Sequence, residues 1–372
     1  MTTILVVNCG SRSIRLAAYR VDASGINVIA RAHADDLHGE QATTTMLERL
    51  PVPDVVAHRL VHGGDWLIGP CWYRPEQQAQ LDTLDALAPL HNPKTRRWLA
   101  NTQQRWPEAL QALVPDTGFF HQLPAVAKHL PLPKAISERF QLRRYGFHGL
   151  AHQALWRALR DARPDLAAGR VITLQLGGGC SAAALKAGVP LDTSMGFTPL
   201  SGLMMSTRPG DLDPGVILRL LTELSVADVS TLLNQQSGLL GVSGLSADMR
   251  SLLACDNAEA AFAIESFCYR VRHYLGAYAA VLGGIDAIVF GGGIGLNSAA
   301  IRERILAPMT WLGVDFDPIA NVAEKCPADS NQCITRLGSK VAAFAMAADE
   351  EQLLIEHVLQ LQQKQDPSHG QA

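Results

Sequence analysis

ILVVNCGSRSIRLAAYRV (residues 4–21) decides the fold of the first half of this chain. Residues 4–8 (ILVVN) are apolar and rich in β-branched side chains, as in a buried strand. CGSRS then supplies the small residues of a turn, and IRLAAYRV alternates as a second strand. The same design returns about 170 residues later, where VITLQL (171–176) is followed by the turn GGGCS and then AAALKAGVPLD. A strand, a glycine/serine turn and a strand occurring twice predict an internal duplication, each half opening on a hairpin. A third unit differs: IDAIVF (285–290) runs into GGGIGLNSAAIRERIL, a glycine-rich turn leading into a helix. Apolar residues recurring at three and four predict helices over 212–235, 255–282 and 341–363. Strands alternating with helices make an α/β protein.

With 372 residues, the chain is long enough for two domains. A hydrophobic fraction of 48% against 18% charged residues fits a packed core and excludes a disordered chain. The net charge of −3 gives no field that would draw in nucleic acid or an anionic membrane, so any phosphate chemistry must rest on local cations. No stretch approaches 18 uninterrupted apolar residues, and Met1-Thr2-Thr3-Ile4 lacks the basic start of a signal peptide. The seven cysteines include no C-x-x-C pair, which fits reduced thiols and a cytoplasmic location. Between the halves, residues 122–150 hold several prolines and read as a domain junction. The polar tail 366–372 reads as disordered.

The glycine-rich turns carry the first chemical signal. A tight turn aims backbone N–H groups at an anion, and glycine lets phosphate oxygens approach. Ser11 and Ser13 add hydroxyls to the first turn, and Asn8 can hold a phosphate or a metal-bound water. Each turn alone reads as an ordinary hairpin; three at strand ends in one α/β chain point towards nucleotide phosphates. Arginines near glycine are the second signal: Arg59 in HRLVHGGD, Arg208 in MMSTRPGDLDP and Arg250 in SADMR. A guanidinium fork suits carboxylate or phosphoryl oxygens, although a loop arginine taken singly is more often a solvated or salt-bridged surface group. Histidines are the third: His91, His121, and His148 with His152 four residues on. That spacing fits a metal pair on a helix, but no third ligand is evident. A hydrogen bond to a transferring phosphate, or a structural role, remains open for each.

Seven segments in order, NCGSRSIR, HRLVHGGD, APLHNP, RRYGFHGLAH, DTSMGFTPLSGLMMSTRPGDLDPG, SGLLGVSGLSADMR and VFGGGIGLNS, resemble the acetate kinase family almost end to end. That family of acyl-phosphate-forming kinases lies within the actin/hexokinase/Hsp70-like superfamily. The resemblance implies two duplicated actin/ribonuclease H-like α/β domains with a nucleotide cleft between them. The first would be 1–148, completed by a C-terminal helix at about 350–365, and the second 149–349. It implies reversible phosphorylation of acetate by ATP with Mg²⁺ (or Mn²⁺), by a cytoplasmic homodimer with neither nucleic acid nor membrane as partner.

The resemblance also implies roles. Asn8 and Glu350 match the positions that serve magnesium, and Arg15 stands where a lysine near the nucleotide phosphates is usual. Arg59 matches the grip on the substrate carboxylate, with His91 beside the substrate. Asp116, His148 and Arg208 match the catalytic aspartate and the pair that stabilises the transition state. Gln175, Leu176, Gly177, Gly178 and Gly179, then Asp248, Met249 and Arg250, then Gly291, Gly292, Gly293, Ile294 and Gly295 match three ATP-contacting segments.

Five departures accompany the match. The family's D-T-x-F-H carries an extra residue here, Asp116-Thr117-Gly118-Phe119-Phe120-His121. Counting back from His121 puts Thr117 in the catalytic slot, whereas counting forward from Arg59 and His91 puts Asp116 there. H-L-G-N-G becomes Gln175 to Gly179, and G-I-G-E-N becomes Gly293-Ile294-Gly295-Leu296-Asn297. Arg12 replaces a common serine, and the chain is somewhat short. Two alternatives therefore stand beside acetate kinase: a kinase for propionate or butyrate or with another phosphoryl donor, and a degenerate nucleotide-binding regulatory protein.

Overall fold

The computed structural model describes residues 1–10, 13–35, 45, 47–89, 91–323 and 331–365. Ser11, Arg12, the side chain of Ser13 and the tail 366–372 lie outside that description. The chain divides into two compact units, Met1–His121 with Asp349–Ala372, and Gln122–Ala348. The proline-bearing stretch 122–148 therefore belongs to the second unit, where Arg144 Nη1 donates to the Thr193 carbonyl at 2.7 Å and Tyr145 N to that of Gly196 at 3.0 Å.

The first unit is built on β1 (Thr2–Cys9), β2 (Ser13–Asp22), β3 (Gly25–Asp35), β4 (Val55–Leu60), β5 (Cys71–Trp72) and β6 (Leu110–Pro115). Their order is β3-β2-β1-β4-β6-β5, with β1, β4 and β6 parallel and the others antiparallel. The expected hairpin is β1–β2, in register from Thr2 opposite Val21 to Cys9 opposite Ile14. β1 buries six consecutive residues, as a central strand covered on both faces must. Leu5, Val7, Leu16 and Val56 pack with Trp98 of the Asn92–Arg105 helix in one buried cluster. The C-terminal helix, Glu350–Gln365, packs on β1, β4 and β6, burying Leu353, Leu354, Ile355 and Val358.

The second unit repeats this plan. It contains β7 (Arg170–Leu176), β8 (Cys180–Lys186), β9 (Val189–Thr193), β10 (Ala287–Gly291), β11 (Gln332–Cys333) and β12 (Ala342–Ala345). The order β11-β12-β10-β7-β8-β9, read from its β9 edge, is the first sheet's order with six added to each index, and β7, β10 and β12 are parallel. The duplication read from two hairpins is thus a duplication of whole sheets. The Gly149–Ala162 helix packs on β7 and β10, and the Ala258–Leu282 helix on β7, β8 and β9. Asn257 caps the latter by accepting from Glu259 N and Ala260 N, and Gly283, at φ 68°, ends it.

Two predicted helices are corrected. The span 341–363 holds strand β12, which pairs in parallel with β10, and its helix starts only at Glu350. A short buried run such as VAAFAM has no polar face, so periodicity cannot separate strand from helix. The span 212–235 breaks into Pro214–Leu220, Val226–Thr231 and a π-helical turn at Leu232–Gln236. Ser225 restarts the chain as a reciprocal cap with Asp228, a local signal that the apolar pattern masks. Among the described residues no helix is long and apolar enough to cross a membrane.

Candidate active site

In the first unit, three parallel strands deliver polar side chains at their C-terminal ends, where open α/β sheets place ligand sites. Asn8 lies near the end of β1, Arg59 near the end of β4, and Asp116 directly after β6. Arg59 Nε donates to both oxygens of Asp116 at 3.2 Å, Nη2 donates to Oδ2 at 2.5 Å, and Nη1 donates to Asn8 Oδ1 at 3.0 Å. Glu350 Oε2 lies 3.9 Å from Nη1. Three of the five guanidinium N–H groups are therefore engaged, leaving one on each terminal nitrogen. Burial opposes the charge on Arg59, but Asp116 and Glu350 outweigh it and hold the guanidinium above its ordinary pKa. Burial raises the Glu350 carboxyl; Arg59 works against that shift and Asp116 adds to it. Arg15, opposite Asn8 in the β1–β2 register, also lowers it.

The extra residue after Asp116 leaves Asp116, and not Thr117, on Arg59. Thr117 is turned to the scaffold, where its Oγ1 accepts from Gly63 N at 3.0 Å. Asn92 fixes the same turn, its Nδ2 donating to the carbonyls of His62 and Leu84. His91 stands at the head of the Asn92–Arg105 helix, and Thr95 of that helix donates to the Arg59 carbonyl at 3.2 Å.

The second unit gathers a different set. Gly177, Gly178 and Gly179 form the β7–β8 turn, closed by Gly177 N donating to the Gly179 carbonyl at 3.1 Å. A methyl group on Gly179 would lie 3.2 Å from His148 Cε1, 3.3 Å from its Nε2 and 4.0 Å from Arg208 Nη1. The Nε2 edge of His148 and the Arg208 guanidinium thus both border this turn. Ser206 N donates to the Gly178 carbonyl at 3.1 Å, tying the Arg208 loop to it. Arg208 Nη1 donates to the Pro199 carbonyl at 3.2 Å, and among the described residues no carboxylate pairs with Arg208. Burial lowers its pKa, the mark of a cation poorly served by solvent.

Gly292 stands at φ 72°, and a Cβ there would lie 2.4 Å from the Leu176 carbonyl oxygen. Only glycine lets the end of β10 lie so close to β7. The expected turn after β10 is already helical, Gly292–Asn297, and Arg302 stabilises its far end by donating to the carbonyls of Gly295 and Leu296. Asp248 and Arg250 are bonded to each other. Their side chains pair at 2.7 Å, with Arg250 largely exposed, and Asp248 N donates to Ser246 Oγ while Met249 is buried.

Sequence reading passed over Ser181 and Thr173. Ser181 Oγ lies 2.9 Å from His148 Nδ1 and 2.8 Å from His152 Nε2, and His152 Nδ1 lies 2.7 Å from Thr173 Oγ1. The four-residue histidine spacing therefore serves a hydrogen-bonded chain. The period-two face shared by Thr173 and Gln175 was legible, but only the β7–β8 register sets Ser181 opposite Gln175. Gln175 Oε1 is buried with no hydrogen-bond partner among the described residues. Burial pushes the Cys180 thiol up to about 12, which disfavours its thiolate.

Mg²⁺ takes hard oxygen donors, keeps several waters, and uses one or two carboxylates beside substrate phosphates. Asn8 Oδ1, Asp116 and the one-fifth-exposed Glu350 are oxygen donors around one guanidinium. Among the described residues no group of three or more His, Cys, Asp or Glu forms a cage for a metal. The donor set fits a metal that arrives with phosphate.

A profile of the Acetokinase family matches residues 43–356. An acetate kinase from Methylocella silvestris is 45% identical over 315 residues, covering 84% of this chain and 76% of its own. The crystal structure of Porphyromonas gingivalis acetate kinase matches with a TM-score of 0.84 at 31% identity, over 97% of this chain and 100% of that one. A propionate kinase from Francisella tularensis gives 0.82 at 29% identity, over 96% and 99%.

Proposed function

The chain belongs to the acetokinase family, and on that footing we propose that it transfers the terminal phosphoryl group of ATP to acetate, reversibly, giving acetyl phosphate and ADP. The observation that carries the reading is Arg208: a partly buried guanidinium with no carboxylate partner among the described residues, beside the Nε2 edge of His148 at a glycine turn. A desolvated cation of that kind is completed by an anionic ligand, and a phosphoryl group in transfer spreads its charge over three equatorial oxygens.

Acetate has a pKa close to that of Asp or Glu, about 4, so it is already a nucleophile at pH 7. One of its oxygens forms the new O–P bond while the bond from that phosphorus to the bridging oxygen breaks and the electron pair leaves with ADP. No general base is required. Asp116 then serves by fixing Arg59, whose two remaining N–H groups, one on each terminal nitrogen, form an end-on fork for the acid's carboxylate. His148 and Arg208 donate to the phosphoryl oxygens, and the turns at Gly177–Gly179 and Gly291–Gly295 offer backbone N–H groups to the nucleotide phosphates. Asn8, Asp116 and Glu350 would hold Mg²⁺, which when bound neutralises phosphate charge.

The reading includes a homodimer in the cytoplasm. Val216, Phe262 and Tyr269 are exposed and line one cavity of the second unit, an apolar surface that supports the dimer reading. Among the described residues no disulfide forms, as a reducing compartment allows.

The test is acetate-dependent ADP release with ATP and Mg²⁺, trapping acetyl phosphate with hydroxylamine, with propionate and butyrate alongside. Turnover with acetate is expected, and Arg208→Ala should lower kcat by about 10²–10³, the usual cost of losing one transition-state donor. ATP binding without turnover on any acid would overturn the proposal.

A further inference from the structure

We propose that Thr173, His152 and Ser181 form a one-way hydrogen-bond relay that holds His148 neutral with its proton on Nε2, making them positioning residues for phosphoryl transfer. Thr173, His152 and Ser181 are each fully buried. Among the described residues the Thr173 hydroxyl has a single hydrogen-bond partner, His152 Nδ1 at 2.7 Å. A buried O–H without an acceptor costs about 1–3 kcal/mol, so Thr173 donates and His152 Nδ1 accepts. A charged imidazole in so dry a site is costly, so His152 is neutral and its proton sits on Nε2. That N–H donates to Ser181 Oγ at 2.8 Å. Ser181 then spends its own proton on His148 Nδ1 at 2.9 Å. With Nδ1 accepting, the neutral His148 ring carries its proton on Nε2, the edge that borders Gly179 and Arg208.

The relay has a direction because it starts at a hydroxyl, Thr173, whose proton has one place to go among the described residues. Reversing it would strip the proton from His148 Nε2 and turn a donor towards the phosphoryl oxygens into a lone pair. The backbone helps aim the ring: His148 stands at φ 57°, in the left-handed region, immediately before the Gly149–Ala162 helix. The kinetic consequence rests on the kinase reading, whereas the proton positions do not, and the experiment separates them.

Full-length protein labelled with ¹⁵N-histidine would be examined by long-range ¹H–¹⁵N correlation, with His148→Gln and His152→Gln to assign signals. Protonated Nε2 and bare Nδ1 are expected for both histidines. Thr173→Val removes the relay's source and should give mixed tautomers, while Thr173→Ser restores the single form. Where acetate turnover is present, Thr173→Val and Ser181→Ala should lower kcat by about tenfold or more, the scale on which orienting partners act, with KM little changed. A protonated Nδ1 on His148 in the native protein, or a Thr173→Val protein unaltered in both tautomer and kcat, would overturn the relay. Absent turnover with native tautomers as described would count against the kinase reading alone.

Discussion

Acidification will weaken the first unit through His58. In β4 the sequence neighbours His58 and Arg59 point to opposite faces, so one must live neutral in the core while the other is charged. His58 is fully buried, with Nε2 2.8 Å from Gln111 Oε1 and Nδ1 without a hydrogen-bond partner. The bond to Gln111 requires the proton on Nε2, and protonating Nδ1 would place an uncompensated charge in the core. Burial lowers the pKa from 6.5 to about 4, and the Gln111 bond only partly restores it. A gap of about 2.5 pH units, at 1.36 kcal/mol each, is worth about 3 kcal/mol. Below pH 6.5 the unfolded chain takes up a proton here that the folded chain refuses. Stability is therefore full above about pH 6.5 and falls as pH drops towards 4, by at most about 1.4 kcal/mol per pH unit. Native-state hydrogen exchange at β1 and β4 amides, in rising urea between pH 4 and 8, measures this for the native protein and for His58→Gln. The glutamine keeps an N–H for Gln111 but cannot titrate. The native protein's advantage over the variant should shrink by about 3 kcal/mol across that range. A difference independent of pH would refute the reasoning.

Arg59→Ala should raise KM for the acid strongly with a smaller effect on KM for ATP; it also strands Asp116, 1% exposed, at a local cost of about 3–5 kcal/mol, read as a lower Tm. Asp116→Asn should abolish most turnover, whereas Thr117→Val should act mainly on Tm through the lost bond to Gly63; the reverse pattern would reassign the pair. Gly292→Ala must hold a side chain at φ 72° against the Leu176 carbonyl, and should lower Tm by the equivalent of about 1–3 kcal/mol or more. An unchanged Tm would mean that β7 and the turn after β10 can separate freely.

The hairpins at residues 4–21 and 171–192 were legible because short strands joined by glycine and serine leave a local signature. The strand at Ala342–Ala345 was not, since alanine and phenylalanine in a fully buried run carry no face. Among site residues, the arginines and glycine turns announced themselves by type and spacing. Ser181 and Thr173 did not, because a serine and a threonine in strands have many ordinary uses. Nor could counting settle Asp116 against Thr117, since two equally good anchors disagreed by one residue.

By itself the sequence determined the α/β class, the repeated hairpins and the family, because these follow from hydrophobic period, turn chemistry and ordered motifs. Tertiary structure alone decided which carboxylate meets Arg59, that no carboxylate among the described residues pairs with Arg208, and that His148 is tied to Thr173 through His152 and Ser181. The reason is physical: those facts depend on which strand ends and registers are adjacent, and adjacency across 57 residues, as between Arg59 and Asp116, is set by sheet pairing and not by any local preference of the chain.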